Sequence, residues 1–449
     1  MANIIETRRY IKGSARLYLK TPLLLKSGYG DMFSDSTIEK TYDGESIHIN
    51  GYIWSSLLRR CMARLEEGAP IAERIGKYGK DREGVSPLWC EPTFIPARGL
   101  YVRPGLAVDR RYGSASAGAL FNDEVTASGL ELDLNWNYFL SADEQEEETK
   151  RLFLLGLRVA TSGVENIGGG WSYGFGRIGL KEVRMICMGL KDEKGRKALW
   201  RFDKTVFDGN QSEPLPELKK EDVLAPWKTI RVEASILPGQ LLAIQSSFPL
   251  FDPDEEIRAE YPDSFVYKGY IVDEESGKIK ARYLIPGRSL RQALFSVPIE
   301  RKLRTMGKDI CYGMAEERKL KDHSCLKCSW FGSTDRGGMI AVTDALIKHE
   351  NKEIIRRIHL CEHSMQNINL FSSEYLTAGQ FAFDILIDTS IDQENSKELE
   401  DEIVRVLNEM RQNGDAPPGW HRLGATSTAT GQVMVLNKPE IKTCGVIYG

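Results

Sequence analysis

Five signals in the first half of this chain return in the same order in the second, and this repetition restricts the available folds more than any other feature. A strand-like run, Ser14-Ala-Arg-Leu-Tyr-Leu-Lys20, leads into Thr-Pro-Leu-Leu-Leu; Ile230-Arg-Val-Glu-Ala-Ser-Ile236 leads into Leu-Pro-Gly-Gln-Leu-Leu. Asp35-Ser-Thr-Ile-Glu-Lys40 is matched by Asp263-Ser-Phe-Val-Tyr-Lys268. Ile47-His-Ile-Asn-Gly-Tyr-Ile-Trp-Ser-Ser-Leu-Leu-Arg59 is matched by Tyr283-Leu-Ile-Pro-Gly-Arg-Ser-Leu-Arg291. Leu120-Phe-Asn-Asp-Glu124 returns as Leu370-Phe-Ser-Ser-Glu374, and Gly170-Trp171 as Gly419-Trp420. One match would be chance; five in order imply duplication, with two homologous domains of about 200 residues, an ordinary domain size.

The boundaries follow from composition. A first domain is expected at 1–195 and a second at 227–449, joined by a linker at 196–226 where charged clusters and Pro214, Pro216 and Pro226 interrupt apolar periodicity. Each half reads as strand, acidic loop, strand, helix, irregular insert, strand, helix, Gly loop, strand. The helix after Gly51 carries Ile53, Leu57, Met62 and Leu65 on one side. A second, over 146–162, turns Leu152, Leu155, Leu157 and Val159 inward, and its counterpart is expected over 397–412. The fold class is α+β, and this order suits a β-α-β-β-α-β ferredoxin-like unit in each half, an order that other α+β folds share.

Composition excludes several classes. Among 449 residues, 41 Gly and 18 Pro are near average usage, so collagen-like and disordered chains are excluded. No apolar run approaches the roughly 20 residues of a membrane span, and Met1 to Tyr10 lacks the apolar core of a secretory signal. Eight scattered cysteines do not form a secreted disulfide pattern, so a reducing, cytoplasmic compartment is expected. The net charge of −4 excludes a uniformly basic coat but conceals polarity: residues 278–321 hold 12 Lys/Arg against 4 Asp/Glu.

Several motifs could carry chemistry. The loop Gly168 to Gly179 follows a helix and precedes a strand, the reverse of a dinucleotide fingerprint, and lacks the Lys-Ser/Thr of a P-loop. Its glycines (Gly169 and Gly170 among them), Trp171, Tyr173 and Arg177 suit either RNA-backbone contact or a hairpin packed on its own domain. The helix starts offer hydroxyls and cations, Ser55, Ser56 and Arg59 in one half and Arg288, Ser289 and Arg291 in the other, which suits phosphate binding or ordinary capping. In the second Gly loop, Trp420, His421 and Arg422 are weaker RNA-contact candidates. Asp35 and Asp263 are loop carboxylates able to hold a divalent metal or position a 2′-hydroxyl, with Asp31, Asp252 and Asp254 as competitors. Cys311, His323, Cys325 and Cys328 have zinc-ligand spacing, and Cys361 or His363 could substitute; four protein ligands make a structural zinc on an insert at about 305–335. The first half keeps only Cys61 and Cys90 there, so no zinc is expected in it.

Taken together, Asp35-Ser-Thr-Ile-Glu-Lys, Gly51-Tyr-Ile-Trp-Ser-Ser-Leu-Leu-Arg, the Arg103 to Phe121 stretch with its Asp109-Arg-Arg, and the Gly168–Gly179 loop resemble the RAMP superfamily, specifically the backbone subunits of type III CRISPR effector complexes. The first half departs from the family's Pro-Gly turn at Asn50-Gly51, and the second departs at Val342-Thr-Asp344 and in its Gly loop. The resemblance implies a ferredoxin-like (RRM-like) core in each half, with a thumb-like hairpin from 103–124 and another near 340–374 wedging between bases of a guide–target duplex. It further implies that Asp35 and Asp263 cut target RNA with Mg²⁺ or Mn²⁺. The partners it implies are a CRISPR guide RNA, complementary target RNA, and other backbone and small subunits. A tandem chain resembles the fused forms of type III-D and III-E systems. The alternatives are a non-catalytic guide-binding subunit of the same complex, or a guide-processing RAMP endonuclease for which His48 is the nearby base.

Overall fold

The computed structural model describes residues 9–76, 85–109, 114–200, 204–246, 248–252, 261–311, 325–333, 336–360, 367–412, 423–424 and 431–446. In the strand Arg9–Leu19, Ile11, Ala15, Leu17 and Leu19 alternate onto one buried face while Tyr10 points to the other. That strand lies inside a four-stranded antiparallel sheet ordered Leu88–Cys90, Glu131–Phe139, Arg9–Leu19, Ile178–Gly189. The helices Gly51–Ala63 and Glu146–Ser162 connect these strands and cover one face, bringing Leu57, Leu58, Met62, Leu152, Phe153 and Leu155 into its core. Along the chain the order is strand, helix, strand, strand, helix, strand, which with this sheet order is ferredoxin-like. Local signals set the helix ends. The Asn50 side chain accepts the Tyr52 N–H at one start; Glu146, Glu147 and Glu148 fill the first turn of the other, which ends at left-handed Gly163.

The stretch 196–226, expected as a linker, is a covering layer. Ala198, Leu199, Val206 and Phe207 bury Tyr10, Phe139 and Met188 on the opposite face of the first sheet. Farther on, the Glu213 N–H donates to Val183 O at 2.8 Å, and Leu215, Leu218 and Val223 join the first core. The prolines interrupt helix and strand, but the apolar residues between them still have a surface to cover.

In the second half, Lys228–Ile236 is flanked by Asn367–Ile387 on one side and by Val433–Val435 and Ile441–Thr443 on the other, with Ile340–Val342 pairing beyond Asn367–Ile387. A helical stretch (Gly287–Leu290, a π turn at Arg291–Ser296, then Val297–Thr305) and the helix Ser396–Gln412 supply Leu294, Ile299, Leu399, Ile403 and Leu407 to a separate core. The strand order of the first sheet recurs here. Each half also extends a long hairpin, hereafter an arm: Tyr101–Asp109 with Ser114–Val125, and Ala345–Leu360 with the first part of Asn367–Ile387. No helix among the described residues is long and apolar enough to cross a membrane.

Candidate functional site

The two loop aspartates occupy the same setting. The Asp35 N–H donates to Asn122 O (2.8 Å), and the Asn122 N–H returns a bond to Asp35 Oδ2 (2.7 Å). On the second arm, the Ser372 N–H and hydroxyl donate to Asp263 Oδ2 at 2.7 and 3.1 Å. Parallel bridges follow in both, Ser36 to Asp123 and Ser264 to Ser373. A glutamate then ties each loop down: Glu124 accepts the Ile38 N–H (2.9 Å), and Glu374 accepts the Val266 N–H (3.0 Å). Lys40 pairs with Glu124, while Lys352 and the Tyr283 hydroxyl meet Glu374. Both aspartates are exposed. The two Ser372 donors hold the Asp263 carboxyl below the usual carboxylate range.

Two residues from each anchoring position, each arm carries an apolar cross-strand pair open to solvent: Leu106 with Leu120, and Ile358 with Leu370. Such pairs, on hairpins that project from their sheets, have no core to join. The competing carboxylates are engaged locally. Asp31 accepts the Phe33 and Ser34 N–H groups, and Asp252 accepts the Ala281 N–H; Asp254 lies outside the described residues. Among the described residues no group of three acidic, His or Cys ligand atoms gathers around Asp35 or Asp263. An Mg²⁺ or Mn²⁺ there would have one carboxylate from the chain and would take its other oxygens from phosphate and water.

The Gly-rich loop corrects the expectation of RNA contact at several positions. Arg177 has no exposed surface; its guanidinium donates to Glu165 O and Trp171 O and lies 5.4 Å from the Trp171 ring, so it is an internal brace. Trp171 donates its indole N–H to Val164 O at 2.8 Å and packs on the first core. The Gly169 N–H is taken by Leu24 O, while Gly170 turns the chain at φ 76° and its O accepts from the Tyr173 and Phe175 N–H groups. Left-handed Gly174 approaches the second half so closely that a Cβ there would sit 2.7 Å from Thr343 Cα. The loop thus forms one of the contacts between the halves, which leaves its polar groups few routes to an RNA backbone.

The helix starts are corrected too. Where a phosphate was expected at Gly287, the Asp344 carboxylate accepts the Gly287 N–H (2.7 Å) and receives both outer nitrogens of Arg103 at 2.6 Å. Arg103 comes from the first arm, so a buried ion pair joins the halves at this start. Arg291 is buried and donates to Phe331 O. Ser289 is partly exposed, and its N–H donates to Pro286 O. Arg288 lies between rings, 4.2 Å from Tyr173 and 4.7 Å from Phe121, with burial lowering its pKa. In the first half, Asn50 caps the helix, Ser56 accepts from Arg60, and Ser55 contacts Cys90. Arg59 is exposed. His48 lies 3.3 Å from Glu39 and stacks on Phe94 at 5.1 Å.

The sequence offered no role for Arg103, Asp344, or a second ionic joint in which Arg64 meets both Glu165 and Asp388. Only the Asp344 departure from the repeat hinted at the first of these.

In the second half, Cys311, Cys325 and Cys328 bring their sulfurs within 4.8 Å of one another, close to the about 3.8 Å separation of thiolates around one zinc. The Cys311–Cys328 separation of 3.2 Å is too long for a disulfide. The hydrogen bond from Cys328 pulls the Cys325 thiol down to about 4 and pushes Cys328 up. Three soft donors suit a structural zinc. His323, Cys361 and His363, like Trp420, His421 and Arg422, lie outside the described residues.

Residues 17–179 match the RAMP superfamily. The matched segment contains Asp35, the helices Gly51–Ala63 and Glu146–Ser162, the first arm and the Gly-rich loop. The match lies within the first half, which is similar to that superfamily over these residues. No curated protein matches the chain.

Proposed function

We propose that the chain is a tandem RAMP backbone subunit, of the type III-D or III-E kind, that holds guide RNA and cuts complementary target RNA at Asp35 and Asp263. The observation that carries this reading is the repeated site: an exposed carboxylate bonded to a strand of an arm, two residues from an open apolar pair, twice in one chain. The repeated sheet order and separate cores support tandem domains at 1–195 and 227–449 with 196–226 between them, and the three cysteines support a zinc knuckle in the second. The open apolar pairs are suited to wedge between base pairs, and the exposed Arg59 is the candidate cation best placed to meet phosphate. Guide pairing would select the sequence, while the protein reads A-form shape and backbone.

The cutting step uses the chain's own groups. A target nucleotide turned out of the duplex places its 2′-oxygen in line with its own 3′-phosphate. As the 2′-oxygen bonds to phosphorus, its proton passes to the aspartate carboxylate. The bond to the departing 5′-oxygen breaks, that oxygen takes a proton from water, and the hydroxide left behind takes the proton held by the carboxyl, which restores the carboxylate. The products are a 2′,3′-cyclic phosphate and a 5′-hydroxyl. Positioned proton transfer of this kind contributes about 10²–10⁴-fold.

The test is the assembled complex, co-purified with its RNA, carrying Asp35→Ala or Asp263→Ala. Each variant is expected to lose one cut of a pair, by at least about 100-fold, while assembly and target binding persist. Unchanged cleavage in both variants would remove the catalytic assignment.

A further inference from the structure

The loop that carries Asp35 exposes three large apolar side chains: Tyr29 (78 %), Met32 (87 %) and Phe33 (59 %). The loop holding them is well tied. The Thr37 N–H donates to Tyr29 O (2.9 Å), and the Ser27 N–H donates to Thr37 O (3.0 Å). The Asp31 carboxylate accepts the Phe33 and Ser34 N–H groups at 2.8 and 2.7 Å, and the Asp31 N–H closes back on Ser34 O. This frame turns Met32 and Phe33 into solvent, an unfavourable placement for apolar surface unless something covers it.

Its position names the occupant. Asp35 stands two residues after Phe33 and is bonded to Asn122, which is two residues from the exposed Leu120. The carboxylate is thus two residues along the loop from one exposed apolar side chain and bonded to an arm residue two positions from another. A flat, uncharged aromatic face beside a carboxylate suits a nucleobase, and stacking accepts any base because each has a π-face.

Building on the proposed cutting reaction, we propose that Phe33, with Met32 beside it, is the stacking surface for the unpaired target-RNA base next to the bond cut at Asp35. A base held there would fix the sugar whose 2′-oxygen attacks. The second half differs. Tyr261 precedes Asp263 by two residues as Phe33 precedes Asp35, yet its ring is packed against Phe251 (5.0 Å) and Phe265 (5.8 Å). The stacking role is therefore assigned to the first site alone.

The experiment uses the assembled complex with Asp35→Ala and Asp263→Ala, which binds target without cutting, and target RNAs carrying 2-aminopurine at one position at a time. One position is expected to be quenched on binding, to brighten when Phe33→Leu is added, and to stay quenched with Phe33→Trp. In the cutting complex, Phe33→Leu is expected to slow the Asp35 cut at least about fivefold, the low end for one stacked base, and to leave the Asp263 cut unchanged. Identical fluorescence at every position with and without Phe33→Leu, at equal target occupancy, overturns the proposal. So does Phe33→Leu impairing subunit assembly with the fluorescence unaltered, which would make the loop a protein contact. Should Asp35→Ala fail to abolish its cut, the catalytic reading falls on its own evidence, and the fluorescence still decides the stacking.

Discussion

Lys20 ends the first strand half-buried, its ammonium donating to Thr161 O at 3.2 Å, and burial lowers its pKa to about 8. Its unfolded value is 10.5, so at neutral pH the folded state carries a charge it holds less readily than the unfolded chain does. That cost is present in full below pH 8 and disappears as pH rises from about 8 towards 10.5, because over that range the unfolded chain binds more protons. Lys20→Met is accordingly expected to stabilise the protein by about 2 kcal/mol at pH 7, with the advantage shrinking by pH 10. Denaturant melts of both proteins across that range check the sign. Arg177 shows the same dependence on surroundings: adjacent to a Gly-rich loop it reads as an RNA contact, and only the enclosing carbonyls of Glu165 and Trp171 reveal a brace.

Among the elements, the short helix Leu326–Phe331 begins at Cys325 and places Cys328 one turn on, while Cys311 arrives from a different segment. Lys327 is buried beside them, its ammonium 3.4 Å from Cys311 O, and Trp330 and Phe331 continue into the second core. A bound zinc would therefore tie the insert to that core. Cys328→Ser is expected to remove about one equivalent of zinc by elemental analysis, and chelation to lower the stability of the second half by several kcal/mol, since metal binding is coupled to folding. Equal zinc content in the variant would refute the assignment. The two arms are likewise legible as elements, because strand alternation and the Leu-Phe-x-x-Glu repeat locate them; that Glu124 and Glu374 tie down the aspartate loops was not, because that bond joins segments 86 and 108 residues apart.

For the whole molecule, the halves are joined by charge. Arg103 and Asp344 form a buried bidentate pair that also caps the Gly287 helix, and Arg64 bridges Glu165 and Asp388. Removing one member strands the other, so Arg103→Met or Asp344→Asn is expected to cost about 3–5 kcal/mol. The double variant should recover part of that loss, and a double-mutant cycle by denaturant melts measures the coupling. A coupling near zero would show that the pair does not hold the halves together.

Periodicity and repetition determined most of the architecture. Alternation in 14–20 and 230–236, the helices after Gly51 and from Glu146, and the five ordered matches predict the two repeated strand–helix patterns, since these are local patterns of burial. The same repeats brought both aspartates forward, and tertiary structure bonded the loop of each to an arm. Only the fold decided which cations remain available to a phosphate. Arg177 and Arg291 are enclosed, and the anion site at Gly287 is filled by Asp344. A charge on the sequence has no fixed partner. Its partner is set by whichever distant segment packing brings within a few ångströms, and for the basic stretch around Arg288 that segment came from the other half of the same chain.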